Sequence, residues 1–145
     1  PQINAWLTED GPERRGAHRE LPPGVIAPVV ECAEGLLRIG SRVEVEQFRG
    51  VVSVELRPHL RDEATLVFEI GTVRAGQLPI PSRRWIEQIR DRITGARGIR
   101  LEESPVVQLV FHLRELDPAW KNVGIDELRI SPDGVTISGR RLPGQ

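Results

Sequence analysis

From Leu37 to Ile70 the apolar residues recur at every second position through three successive segments. This period of two, sustained over thirty residues, is the tightest constraint on what the chain can fold into, because a strand turns alternate side chains to opposite faces. In the first segment Leu37, Ile39, Val43 and Val45 share one face, and Arg38, Arg42, Glu44 and Glu46 the other. In the second, Val52, Val54 and Leu56 alternate with Ser53, Glu55 and Arg57. In the third, Leu66, Phe68 and Ile70 point inward. After Gly71 the phase slips to Val73 and Ala75, which predicts a β-bulge. One oily face and one charged face describe an antiparallel sheet covered on a single side.

What covers it is predicted to follow directly. Gly76-Gln77-Leu78-Pro79-Ile80-Pro81 frames the start of a helix with prolines, and Ser82 is a candidate N-cap. Trp85, Ile86, Ile89 and Ile93 then recur at helical spacing, opposite Arg83, Arg84, Glu87, Arg90, Asp91 and Arg92, until Gly95 and Gly98 stop the helix. Elsewhere, Ile3, Trp6 and Leu7 mark a short helix over 2–9, followed by a charged, flexible loop over 11–24. A strand from Val25 to Ala33 carries Pro28, which places it at a sheet edge. Closing strands span 106–142, the last two joined at Asp133-Gly134 as a hairpin. The predicted fold is α+β in one domain over 1–145. A strongly curved antiparallel sheet of six to seven strands wraps around one long amphipathic helix over 82–94, with the short N-terminal helix beside it.

Composition removes several function classes. The net charge is −1 and the aromatics fall on apolar faces, so a nucleic-acid surface is not expected. Cys32 is the single cysteine, which forbids an internal disulfide. No apolar run has the ~18 residues of a spanning helix. The chain begins at Pro1 and contains no Met, so a processed form is expected. His18, His59 and His112 are scattered, with no ligand spacing among them, and neither a metal site nor a cofactor is expected. No serine lies in a nucleophile elbow and no glycine-rich phosphate loop is present. Glu102-Glu103 and Asp126-Glu127 are neighbours that face opposite ways on a strand, so neither makes an acid–base pair. The expectation is a protein that is not an enzyme. An enzyme would require a polar cleft holding His59 or His112 beside a carboxylate.

Apolar surface is what remains. A curved sheet with one helix lying across it offers a cleft for lipid or another apolar ligand. Its lining would be Val54, Leu56, Phe68 and Ile70 on the sheet and Trp85, Ile86 and Ile89 on the helix, with Leu78 and Ile80 at the entrance. The rival expectation is a structural or assembly module that docks a protein partner or a second copy through strand edges.

Two segments carry a resemblance. Gln2-Ile3-Asn4-Ala5-Trp6-Leu7 looks like the segment that follows the membrane anchor in YpmS-like bacterial envelope proteins. Val73 to Pro81, with a helix next, resembles their "vGkLpiP" segment. The order of strands, proline-framed helix and closing strands is also similar to tubular lipid-binding (TULIP-like) and AsmA-like domains. The resemblance implies a membrane-anchored, extracytoplasmic domain of the cell envelope, with lipid as its ligand and an anchor ahead of Pro1. A cytoplasmic location is the alternative.

Overall fold

The computed structural model describes residues 25–45, 48–103 and 105–144. The expected helix over 2–9 and the loop over 11–24 lie outside them. Strands β1 (Val25–Ala33) and β2 (Leu36–Val45) form a hairpin that turns at Gly35, whose φ of 65° lies in the left-handed region. β3 (Phe48–Asp62) and β4 (Thr65–Ala75) form a second, longer hairpin. The short β5 (Leu78–Ile80) folds back on β4, and helix α1 (Ser82–Thr94) follows. β6 (Ile99–Glu102) and β7 (Gln108–His112) complete an antiparallel sheet in the order β1-β2-β3-β4-β7-β6. A one-turn helix α2 (Leu113–Leu116) and a 3-10 turn (Pro118–Asn122) lead to β8 (Val123–Ser131) and β9 (Gly134–Arg141), which pair only with each other in a second sheet.

This architecture corrects the expected α+β fold. The described chain is mostly antiparallel strand, and the sheet is neither strongly curled nor closed, with β1 and β6 as its edges. Nor is there a long helix for it to wrap. α1 has 13 residues, about 20 Å at 1.5 Å per residue, whereas β3 has 15, about 50 Å when extended. A rod of that length lies on part of the sheet only, and it packs on β4 and β6. Sequence periodicity reports which face is oily, but not how far the covering element reaches.

Smaller differences have local causes. The slip at Gly71 is a bulge, because Val54 pairs with Val73 while Leu56 pairs with Ile70, leaving Gly71 and Thr72 opposite Glu55. The extra residue puts both Ile70 and Val73 on the helix side. β3 runs on through Pro58 to Asp62 because β2 pairs it only as far as Leu56, so the proline lies where no β2 partner needs its missing N–H. Pro81, rather than Ser82, precedes the helix, and no side chain caps it. β4 is not one-sided either. Leu66 and Phe68 are half-buried, whereas Val67, on the opposite face, is fully buried beside the equally buried Val110 of β7.

Candidate functional site

The strand registers place Val30, Ile39, Val54, Val73 and Ile80 in one row across β1, β2, β3, β4 and β5. Burial along this row is greatest at its centre. Val73 is 1% exposed and Val54 8%, while Ile80, Ile39 and Val30 are only half-buried. Ile86 of α1, fully buried, joins Val54, Ile70, Val73 and Val107 in the core, with Leu56, Ile80, Trp85 and Ile89 packed around them. Seven of the nine residues expected to line a cleft therefore meet. The other two do not join this cluster. Phe68 packs edge-on against Phe111, with ring centroids 5.2 Å apart, and Leu78 is 73% exposed on β5. The seam between helix and sheet is filled by the protein's own side chains.

Beyond the helix the same face continues. Cys32 pairs with Leu37, and Val43 and Val52 lie on the same side by period two. All four are half-buried, as are Val30 and Ile39. β1, β2 and β3 thus carry an apolar lane continuous with the core, and its Ile39 and Val52 pack directly against that core.

The opposite face carries ion pairs beside apolar side chains, with Val29 and Val51 both 51% exposed there. Arg38 donates to Glu31 on β1 and to Glu55 on β3, both at 3.1 Å, and the two carboxylates raise its pKa, Glu55 first. Further along, Arg61 donates to both oxygens of Glu102 at 3.1 and 2.9 Å, and Gln108 adds a 2.6 Å bond. The bridge runs from β3 to β6 past β4 and β7, whose Val67 and Val110 lie on the face that Glu102 and Gln108 occupy. The Arg61 guanidinium, and then Gln108, hold the Glu102 carboxyl below its ordinary range, with His112 a smaller electrostatic influence. His112 is thus near a carboxylate, but three donors already engage the oxygens of Glu102. A carboxylate so engaged stays ionised and braces the sheet, and it is poorly placed to take a proton from a substrate.

Among the described residues, no three His, Cys, Asp or Glu side chains converge as a metal site. No helix of the described chain is long and apolar enough to cross a membrane. Compared with protein-family models, curated proteins and solved structures, the chain matches none. The likeness to YpmS-like and TULIP-like domains therefore rests on the quoted segments alone.

Two features were missed from sequence. How far the apolar face runs over β1 and β2 was hidden because the alternation of Leu37, Ile39 and Val43 looks the same under a helix or beside one. The Arg61–Glu102–Gln108 bridge was hidden because its members belong to strands three places apart in the sheet. Only Ile99 and Leu101, at alternate positions, hinted at the β6 strand that carries Glu102.

Proposed function

We propose that this domain is a non-enzymatic docking module, and that its working surface is the apolar lane on β1, β2 and β3. The occupant it suits is an amphipathic helix that lies beside α1 and extends the helix layer over the sheet. One observation carries this reading: the row from Val73 through Val54 to Ile39 and Val30 runs out of the core without a break, and its side chains go from fully buried at Val73 to half-buried at Ile39 and Val30. A sheet face with half-buried Val, Ile and Leu side chains continues an interface the protein already makes with its own helix. Lipid held between α1 and the sheet has less support, because Ile86 and Val73 fill that seam. The envelope location and the anchor implied by the resemblance fit a docking module equally well and are not needed for it.

The test is site-specific photo-crosslinking in cells. A photoreactive residue at Val43 should give discrete protein adducts, and the same residue at Arg42, on the opposite face, should give none. Adding Ile39→Asp should abolish the Val43 adducts while the protein stays folded. Lipid adducts alone, or equal labelling from both faces, would overturn the reading.

A further inference from the structure

We infer that β9 is the seam of a symmetric dimer, in which the β9 strands of two copies of this chain pair antiparallel about Ile137. The inference is independent of the docking reading above, since it uses the second sheet and not the first. A strand at a sheet edge leaves the N–H and C=O of every second residue without a partner, and folded proteins blunt such edges. The edges of the first sheet are blunted. β1 carries Pro28 and an irregular register between Ile26 and Val29, β5 has three residues and contains Pro79, and β6 has four residues. The far edge of β8 is held near both ends, where the Ile125 N–H donates to the Glu63 carbonyl at 2.8 Å and the Ile130 carbonyl accepts the Gly35 N–H at 3.0 Å. β9 has none of these devices. It runs for eight residues without proline, pairs only with β8, and is exposed from Thr136 to Arg141. Its Ile137 is 56% exposed.

Charge decides the occupant. Among the described residues, the ion pairs of the second sheet join Arg140 to Glu63 and Asp126, and Arg129 to Glu127, whereas Asp133 and Arg141 take part in none. A second copy supplies the opposite charge to both. With Ile137 set against the partner's Ile137, Thr136 faces the partner's Ser138, Val135 the partner's Gly139, and Asp133 of the turn the partner's Arg141. The twofold axis repeats that last pair, so two opposite-charge pairs flank one apolar contact and no like charges meet. Centring on Thr136 or Ser138 instead sets Arg141 against the partner's Ser131 or the partner's Val135, and both charge pairs are lost. One strand from each copy makes a small interface, so the dimer is weak and depends on concentration.

Sedimentation equilibrium on the purified chain, from micromolar to millimolar concentration, tests the inference. The mass should rise from one chain towards two. Arg141→Asp sets like charges across the seam twice and should weaken the dimer about ten-fold. Adding Asp133→Arg restores opposite charges and should recover it. In the parent chain, amide exchange should slow across Gly134–Arg141 as concentration rises and stay constant in β1, β2 and β3. A monomer at every concentration, a dimer indifferent to Arg141→Asp, a folded double variant that stays monomeric, or protection that falls on β1 to β3 would each overturn the inference. The exchange measurement needs no substitution, so it decides the matter even where Asp133→Arg disturbs the turn.

Discussion

The Glu63 carboxylate accepts a 3.0 Å bond from Arg140, which lies 77 positions further along the chain. Glu63 sits in the turn between β3 and β4, and Arg140 lies on β9. The same carboxylate takes Arg114 of α2 at 2.7 Å, and Arg140 also pairs with Asp126 of β8. The backbone carbonyl of Glu63 accepts the N–H of Ile125 at 2.8 Å. Glu63 thus ties the second sheet to the first, and the Gly35 N–H, donating to the Ile130 carbonyl at 3.0 Å, makes a second tie.

Removing that fastening should loosen the β8–β9 sheet before anything else. All three ionic side chains are partly exposed, so their coupling is modest. A double-mutant cycle on Glu63→Ala and Arg140→Ala should give on the order of 0.5 kcal/mol, and less at high salt. Hydrogen exchange should speed up across Val123–Arg141 and stay unchanged in β2 and β4. A uniform rise over both sheets would show that Glu63 supports the whole fold instead.

The core and the surface of the α1 seam should respond very differently to the same deletion. Ile86→Ala removes a fully buried side chain and should cost about 2–5 kcal/mol in a urea titration. Leu78→Ala removes a largely exposed one, and the change should stay within about 0.5 kcal/mol. Similar losses at the two sites would mean that Leu78 is covered in solution.

Gly98 combines two constraints. Its φ is 75°, and a Cβ built there would stand 3.0 Å from both the backbone N and Cγ of Leu116. Gly35 has a similar φ of 65° but open space around it. Gly35→Ala should therefore carry only the left-handed backbone cost, about 1 kcal/mol. Gly98→Ala adds the clash and also disturbs the 2.7 Å bond from the His112 N–H to the Gly98 carbonyl. Thermal midpoints of the two variants should fall in that order. Equal shifts would show that Leu116 moves aside freely.

Acid should destabilise the fold through two carboxyls in particular. Glu102 is held below its ordinary range by Arg61 and then Gln108, and Asp62 by the backbone N–H of Ala64 above all. Both folded values lie below the unfolded ones, so the unfolded chain takes up protons first. The stability these groups contribute is complete above about pH 5 and is lost as pH falls through the lower folded values. Between pH 6 and pH 2, the thermal midpoint should drop less steeply in Glu102→Gln and Asp62→Asn than in the parent chain. Parallel curves would remove both carboxyls from the acid transition.

Alternation along Leu37–Ile39–Val43 and Val52–Val54–Leu56 was enough to predict that these residues share one face, and the slip after Gly71 was enough to predict the bulge. Both are local properties, set by the geometry of a single strand and its neighbour. The spacing of Trp85, Ile86 and Ile89 likewise determined which side of α1 is apolar. The tertiary structure alone decided how much of the sheet α1 covers, that β4 is buried on both faces at Val67, and that Arg61 meets Glu102 across two intervening strands. Those outcomes depend on strand order and on the relative lengths of α1 and β3. Strand order and element length govern which distant residues meet, and a pattern with a period of two or 3.6 residues carries no record of either.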